Sequence, residues 1–261
     1  MKNDTILKTD QLAIGYDYKK EYNIIGANIN IELQKGKLIA LIGANGIGKS
    51  TLLRTLTGIQ KPILGTVFLE EKSIQNYTAL ALAQKLSIVL TEKLPPSNLT
   101  VFDLVALGRQ PFTNWIGQLT ITDIKKINEA ITLTNIENFI HKKHYEISDG
   151  QLQKALITRA LAQNTDLIIL DEPTTHLDLL HKVNLLKLLK KLTQETNKCI
   201  LFSTHDIDLA IQISDEMIVM TDKKIIQDAP CQLISKGVFS ELFQHENITF
   251  DSQKGKFNIQ N

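Results

Sequence analysis

Short apolar runs alternate with helical patterns along most of the chain. Residues Ile39–Ile42 form a continuous apolar run that ends at a glycine, and further strand candidates lie at Asp166–Leu170, Cys199–Phe202 and Met217–Met220. Strands that are apolar at successive positions are typical of a parallel sheet covered on both faces. The pattern therefore predicts an α/β core.

Helical patterns separate these strand candidates. Lys182–Thr193 carries apolar residues at steps of three, which predicts a helix that packs one stripe on the core. The region of about 85–161 has turn signals and then helical patterns around Asp103–Leu107 and Thr122–Leu133. We interpret it as a helical subdomain inserted into a core of about 1–84 and 162–225, followed by a C-terminal extension of about 226–261.

Composition and charge exclude several classes of protein. The chain has 261 residues, and 29 Lys and Arg residues nearly balance 28 Asp and Glu residues, which gives a net charge of +1 and no general argument for nucleic-acid binding. No apolar run approaches the ~18 residues of a membrane-spanning helix. The N-terminal segment lacks a secretory apolar core, and the two cysteines lack metal-site spacing. We therefore expect a protein of a reducing cytosol.

The strongest chemical signal is a glycine-rich loop between the first of these strand candidates and the helical stretch Ser50–Leu56. It fits the pattern G-x-x-x-x-G-K-[S/T]. Glycines let the backbone wrap closely round phosphates, and the positive end of the next helix faces the same anion. Lys49 is predicted to reach the β- and γ-phosphates, and the Ser50 hydroxyl to bind Mg²⁺. The predicted nucleotide-binding residues are Gly43, Ala44, Asn45, Gly46, Ile47, Gly48, Lys49, Ser50 and Thr51.

Two adjacent carboxylates, Asp171 and Glu172, follow the second strand candidate. Because neighbouring residues on a strand point to opposite sides, one carboxylate can serve a metal while the other lies nearer the attacking water. Asp171 suits the Mg²⁺ site, and Glu172 suits the general base. Alone, such a pair is most often a solvated strand end, and the upstream phosphate loop is what favours chemistry here.

Two weaker motifs complete the set. Ser148 and Gly150, in the sequence Ser148-Asp149-Gly150-Gln151, stand where the N-cap of a helix is expected, and a hydroxyl with free helix N–H groups can form a second anion site. Alone, a capped helix with no further role is the simpler interpretation. His205 follows the third strand candidate, where it can contact a γ-phosphate, although a single histidine there is more often structural.

The order of these four motifs resembles that of the ATP-binding cassette (ABC) ATPases, over about residues 10–230. The resemblance identifies the glycine-rich loop as the Walker A motif and Leu167–Asp171 as the Walker B strand. It identifies Glu172 as the catalytic glutamate and His205 as the switch histidine. It implies an ATPase with ATP and Mg²⁺, built on a P-loop core with a parallel sheet, an inserted helical subdomain and a small antiparallel β subdomain.

The same resemblance implies a homodimer joined through ATP. Ser148–Gln151 matches the family signature, which closes on the ATP held by the other subunit, and Asp178 lies in the D-loop. Tyr16 resembles the aromatic residue that stacks on adenine. Asp149 stands where the family usually has a second glycine, so its carboxylate must point away from the γ-phosphate or weaken closure. Thr91 or Glu92 falls where the family has a glutamine that contacts Mg²⁺ and water.

A short segment resembles one branch of the family. Leu99–Val101 and Leu104–Pro111 are similar to the ATPases of iron-chelate importers, which handle ferric siderophores, haem or cobalamin. The resemblance implies integral-membrane permease subunits as partners and, indirectly, a substrate-binding protein. It implies a peripheral location on the cytoplasmic face of the inner membrane, without a nucleic-acid partner.

Other functions remain open at this point. A soluble ABC ATPase of translation usually has two cassettes in one chain, and a DNA-maintenance type carries a long coiled coil, for which this chain shows no sustained heptads. A P-loop kinase should lack the signature and His205. An importer or exporter subunit for another substrate also remains possible, because the ATPase motifs do not encode the direction of transport.

Overall fold

The computed structural model describes residues 4–18, 21–90, 94–95, 97–242, 248–251 and 256–259. Strands and helices alternate through most of the chain. The strands are β1 (Thr5–Tyr18), β2 (Glu21–Ile29), β3 (Glu32–Gln34), β4 (Leu38–Gly43), β5 (Leu64–Leu69), β6 (Lys72–Ser73), β7 (Leu86–Val89), β8 (Leu167–Leu170), β9 (Cys199–Ser203), β10 (Glu216–Met220), β11 (Ile225–Asp228), β12 (Ile248–Asp251) and β13 (Lys256–Ile259). The α-helices are α1 (Lys49–Leu56), α2 (Ala79–Ala83), α3 (Val101–Ala106), α4 (Ile121–Thr134), α5 (Asp149–Ala162), α6 (Leu179–Thr196), α7 (Ile207–Ile213) and α8 (Pro230–Ser235).

The central sheet has the strand order β11-β10-β4-β9-β8-β7. Its pairs are parallel except for β11, which runs antiparallel to β10. Successive residues of β4 enter two different cores: Leu38, Ala40 and Ile42 face one side, and Ile39 and Leu41 face the other. The predicted parallel sheet with two covered faces is therefore confirmed, and both faces are apolar because each is packed.

A second, antiparallel sheet covers one face of the central sheet. Its order is β2-β1-β5-β6, with β3 paired to β1. Ile14 and Val67 of this sheet belong to the same apolar core as Leu52 of α1 and Leu41 of β4. This arrangement confirms the small antiparallel subdomain, and it places α1 between the two sheets. Among the described residues, no helix combines the length and hydropathy that crossing a bilayer requires.

The helical region starts later than the sequence predicts. Leu86–Val89, at the predicted start near residue 85, is strand β7 and pairs in parallel with β8, with Leu86 opposite Leu167. A run of four residues beside proline-rich turn signals is too short to show a period, so the sequence pattern did not separate it from the region that follows. Helices α3, α4 and α5 then pack against one another, and α5 also packs against β7.

A buried ion pair fixes the start of α4 to the end of α5. Arg109 Nε donates to Asp123 Oδ1 at 2.9 Å, and Arg109 Nη1 donates to the carbonyls of Ala162 and Gln163 at 3.0 Å each. Asp123 also closes a capping box with Thr120. Burial opposes ionisation of Asp123, but hydrogen bonds from Thr120 and Arg109 outweigh it and hold the pKa of this carboxyl below its ordinary value.

Replacing Asp123 with alanine is expected to lower the free energy of unfolding by about 3–5 kcal/mol, because Arg109 then carries a buried, unpaired charge. Urea denaturation measures the loss. Since the folded pKa of Asp123 lies below the unfolded value, its stabilisation is present above the unfolded pKa and is lost as the pH falls through the folded pKa.

Asp103→Ala is the matched control for this prediction. Asp103 closes the same type of capping box with Thr100 at the start of α3, but its side chain is exposed. Its loss should cost only about 1 kcal/mol. Equal losses for the two variants would contradict the role given to the buried pair.

Candidate active site

The glycine-rich loop lies between the end of a buried strand and the start of a helix. β4 ends at Gly43 and α1 begins at Lys49. Gly48 has φ +107°, and a Cβ there would lie 2.3 Å from Cγ2 of Ile25, so glycine alone fits this position. Gly48 is also the N-cap of α1 and offers no side-chain cap. The first N–H groups of the helix and its positive dipole end can therefore receive an anion.

Lys49 is held against the loop that it follows. Its Nζ donates to the carbonyls of Gly43 at 3.0 Å and Ala44 at 3.2 Å, and the residue is 5% exposed. Burial lowers the pKa of Lys49 from its ordinary value, and the nearby charges of Glu172 and Asp171 oppose that shift. The fold thus brings the predicted phosphate ligand within electrostatic reach of both predicted carboxylates.

One hydroxyl connects the two carboxylate residues. Ser203 Oγ, at the end of β9, donates to Asp171 Oδ1 at 2.7 Å and accepts from the backbone N–H of Glu172 at 2.8 Å. Asp171 is 8% exposed. Ser203 therefore fixes Asp171 and the backbone of Glu172 at the sheet edge where the glycine-rich loop also lies.

The sequence analysis predicted that the alternation of side chains along a strand orients the two carboxylates, and this prediction was wrong. β8 ends at Leu170, so Asp171 and Glu172 both lie beyond the strand and its pleat does not orient them. Glu172 has φ +48°, in the left-handed region that a non-glycine residue adopts rarely. A turn and the Ser203 hydroxyl position the two residues instead.

Glu172 and His205 are in direct contact. His205 Nε2 lies 2.5 Å from Glu172 Oε1, and Thr175 Oγ1 donates to Glu172 Oε2 at 3.2 Å. Both carboxylate oxygens of Glu172 therefore have a partner on the protein. The predicted base and the predicted phosphate-sensing histidine form one unit at the sheet edge.

Ser148 caps α5, as the sequence predicts. Its Oγ accepts from the N–H of Gln151 at 3.3 Å, and Gln151 Oε1 accepts from the N–H of Ser148 at 3.1 Å. Helix α5 packs on α3, α4 and β7, so the capped end belongs to the helical region. Asp149 lines a cavity of about 370 Å³ together with Asp171 and Glu172 of the same chain.

The remaining predicted residues lie around this edge. Tyr16 Oη lies 3.1 Å from Thr51 Oγ1, so the tyrosine stands beside the first turns of α1. Asp178 is the N-cap of α6 and accepts from the N–H of His181 at 2.8 Å. Thr91 and Glu92 lie outside the described residues.

Sequence reasoning gave no role to Ser203 and Asp206, which lie beside His205 in the same motif. Asp206 Oδ1 accepts from Lys182 Nζ at 2.9 Å, and its Oδ2 accepts from Thr174 Oγ1 at 3.2 Å, so it connects the residues after His205 to α6 and to the loop after Glu172. The ends of two neighbouring strands could have indicated that these residues lie at the site. β8 and β9 pair with Leu170 opposite Phe202, which brings the following residues of both strands together.

A family model described as ABC transporter matches residues 27–175, which is more than half of the chain. The chain belongs to the ABC transporter ATPase family. A shorter match, to an AAA domain model, covers residues 140–211. The predicted ATPase activity and the predicted P-loop fold class are therefore confirmed, with ATP as the nucleotide.

Three relatives of this ABC ATPase match nearly its whole length. It is 40% identical to an uncharacterized ABC transporter ATP-binding protein, MJ0873 of Methanocaldococcus jannaschii, over 98% of this chain and 87% of that protein. It is 36% identical to the iron(3+)-hydroxamate import ATP-binding protein FhuC of Bacillus subtilis, over 91% and 87%. It is 34% identical to the petrobactin import ATP-binding protein FpuD of Bacillus anthracis, over 92% and 87%.

Solved structures agree with this assignment. A chain of an ABC transporter of the proposed metal-chelate type, in an inward-facing conformation, matches with a TM-score of 0.79 and 27% identity, over 97% of this ABC ATPase and 95% of that chain. The dimeric cassette MJ0796, in a post-hydrolysis state bound to ADP and phosphate, matches with a TM-score of 0.72 and 27% identity, over 86% and 99%.

Proposed function

We propose that this ABC ATPase powers a membrane importer of iron chelates, such as ferric siderophores or haem, or of the related chelate cobalamin. The observation that carries the proposal is the similarity, over nine-tenths of the chain, to ATP-binding proteins of petrobactin and iron(3+)-hydroxamate import. The segment Leu104–Pro111, which resembles the same branch of the family, agrees with it. The similarity to a solved chain of a metal-chelate type ABC transporter agrees with the same class of cargo.

The glycine-rich loop binds the triphosphate in this proposal. Backbone N–H groups of the loop and of the first turn of α1 receive the phosphate oxygens. Lys49 exchanges the carbonyls of Gly43 and Ala44 for the β- and γ-phosphates. Tyr16, beside Thr51, stacks on adenine.

Ser50 and Asp171 fit Mg²⁺, because a hydroxyl and a buried carboxylate are the oxygen ligands that this ion takes together with phosphates. When bound, Mg²⁺ neutralises charge on the phosphates. Ser203 donates to Asp171 and thereby orients its carboxylate. Either Thr91 or Glu92 is a further candidate ligand.

Glu172 acts as the general base that takes a proton from the attacking water. Its carboxylate is pre-oriented, because Thr175 donates to one oxygen and His205 contacts the other. His205 is 41% exposed on its side chain, so it can leave Glu172 for the γ-phosphate without disturbing the core. The attacking water and the γ-phosphate would thus bind beside Glu172 and His205, which already contact each other.

Two copies of the chain form the active dimer in this proposal. The Ser148–Gln151 signature caps a helix of the helical region and completes the site of the partner subunit, together with Asp178. The similarity to a dimeric cassette bound to ADP and phosphate supports this arrangement. Closure on ATP and opening after hydrolysis then form a ligand-biased, two-state cycle.

A cleft between the core and the helical region is the proposed docking surface for the permease. Its volume is about 1000 Å³, and apolar residues such as Ile59, Leu82 and Pro111 contribute much of its lining. The guanidinium of Arg159 lines it without an ion pair or hydrogen bond to any described residue, and burial lowers its pKa. A helix that carries a carboxylate would satisfy this cation. The ATPase then lies on the cytoplasmic face of the membrane, and a substrate-binding protein delivers cargo to the permease.

Uptake of labelled ferric siderophore, haem and cobalamin by cells tests the proposal. Cells with the Glu172→Gln variant, at equal expression, are expected to lose uptake of the cargo that wild-type cells import, because transport needs hydrolysis. Loss for one cargo also identifies the substrate. Unchanged uptake of all three would contradict the iron-chelate assignment.

The docking surface is tested in the same assay with Arg159→Glu. This variant should lose uptake while the isolated chain keeps its ATP binding, because a like charge would repel the carboxylate of the permease. Lys187→Glu is the control, since Lys187 is an exposed cation on α6 that does not line the cleft. Normal uptake with Arg159→Glu would remove the cleft from the proposal.

A further inference from the structure

A group of large apolar side chains is exposed beside the cleft. Residues 110–122 contain no charged residue, and within them Trp115 is 94% exposed, Ile121 92% and Ile116 60%. Phe112 and Leu119 are also exposed, at 37% and 36%. We call these five residues the Trp115 surface. Several large apolar side chains exposed in one short segment of a folded domain generally mark a contact with a partner or a membrane.

The loop that carries Trp115 is ordered by its own hydrogen bonds. Asn114 Oδ1 accepts from the N–H of Ile116 at 3.1 Å and of Gln118 at 3.0 Å. The N–H of Gly117 donates to the Asn114 carbonyl at 2.9 Å. These backbone donors are satisfied within the loop, so they can enter an apolar medium without losing partners. The loop also holds its apolar side chains outward before any partner arrives.

The polar side chains of this loop are hydrogen-bonded inside it. Thr113 Oγ1 donates to the carbonyl of Gln110 at 3.1 Å, and Asn114 Nδ2 donates to Gln118 Oε1 at 2.9 Å. A protein interface generally needs about one hydrogen bond per 100–200 Å². Since Thr113 and Asn114 bond within the loop, they offer few directional contacts to a protein partner, and the loop suits a non-directional apolar phase better.

The charges next to the Trp115 surface also suit a bilayer. Arg109 and Asp123 flank the uncharged run, but they neutralise each other in the interior. Lys125 follows at the exposed edge, and Lys126 pairs with Glu129. The surface is therefore a tryptophan and aliphatic group with a single exposed lysine, Lys125, at its edge. Tryptophan is enriched where proteins meet the membrane–water interface.

We propose that the Trp115 surface enters the headgroup region of the lipid bilayer. The proposal rests on the proposed function in one respect, because the permease is taken to occupy the adjacent cleft. Pro111 lines that cleft and Phe112 begins the Trp115 surface, so the two surfaces are continuous. A permease in the cleft would thus place the Trp115 surface beside the membrane.

Intrinsic fluorescence of the wild-type chain tests the proposal directly. Trp115 is the only tryptophan, so the emission reports on this surface alone. With vesicles of phosphatidylethanolamine and phosphatidylglycerol, the emission maximum is expected to move to shorter wavelength, and lipids brominated on their acyl chains should quench it. An unchanged spectrum at saturating lipid would overturn the proposal.

Two variants at sites of similar exposure separate binding through this surface from general adhesion to lipid. Ile116→Asp retains the tryptophan and should weaken vesicle binding by about tenfold or more, because an aliphatic side chain no longer leaves water. Leu64→Asp is the control, since Leu64 is 64% exposed on β5, outside the Trp115 surface, and it should bind as the wild type does. Circular dichroism checks that both variants are folded. Equal binding by Ile116→Asp and the wild type would overturn the proposal.

Two further results would assign the surface to a protein instead. A blue shift that depends on protein concentration without lipid would indicate a second copy of the chain. A shift that appears only when membranes contain the permease would indicate a permease contact. Either result overturns the lipid proposal and leaves the importer proposal intact. Unchanged cargo uptake by Glu172→Gln cells has the opposite effect, because it removes the importer proposal and does not affect the vesicle result.

Discussion

The Glu172→Gln variant should bind ATP as the wild type does and hydrolyse it about a hundredfold or more slowly. Removing a positioned general base typically costs a factor of about 10²–10⁴. Glutamine keeps the size of the side chain and an oxygen that can accept from Thr175. Ground-state binding should therefore survive while the chemical step is lost. Phosphate release at varied ATP concentration separates the two, because kcat falls and KM stays nearly constant.

The same variant tests the dimer. With hydrolysis blocked, ATP should hold two subunits together long enough for light scattering to detect the dimer. Glu195→Gln is the control, because Glu195 is an exposed carboxylate on α6 that pairs only with Lys191 at 3.7 Å. A Glu172→Gln protein that stays monomeric with ATP would count against closure on ATP. Hydrolysis near the wild-type rate would assign the base to another residue.

Lys49→Ala is expected to weaken ATP binding by about a hundredfold or more. A charge-assisted hydrogen bond contributes about 1.5–3 kcal/mol, and Lys49 is proposed to make one to each of two phosphates. Titration calorimetry with ATP measures the loss. The folded chain should tolerate the change, because the bonds of Lys49 to the described residues go to carbonyls of its own loop. Its removal also relieves a buried cation.

Thermal unfolding gives an independent check on Lys49. ATP should raise the Tm of the wild type, since a ligand that binds only the folded state stabilises it. It should leave the Tm of Lys49→Ala nearly unchanged. Lys187→Ala, on the exposed side of α6, serves as the control and should respond as the wild type does. An equal rise in Lys49→Ala would mean that the lysine does not hold the phosphates.

The elements that could be predicted from sequence are those with a local signal. The run Ile39–Ile42 and the glycines that follow it determine a strand, a turn and a helix between Leu38 and Leu56. Ser148 was predictable as a cap because the cap and its partner Gln151 are three residues apart. Strand β7 was not predictable in this way, because its identity depends on pairing with β8, some eighty residues later.

The active site shows the same division between local and distant determinants. The residue types at Lys49, Asp171 and Glu172 predict phosphate binding, metal binding and a general base. The fold brings the three residues together. The orientation of Glu172 does not follow from strand geometry, because a left-handed turn intervenes after Leu170. Ser203, whose role depends on the register between β8 and β9, has no motif of its own.

Ser203 also limits how this chain can diverge. Its one hydroxyl donates to the carboxylate of Asp171 and accepts from the backbone N–H of Glu172. A substitution at any of the positions 171, 172 and 203 therefore affects the other two. Alanine at 203 would leave both partners short of a bond, and a larger side chain would displace them because Ser203 itself is completely buried. Mutational tolerance at 203 should therefore be as narrow as at the carboxylates.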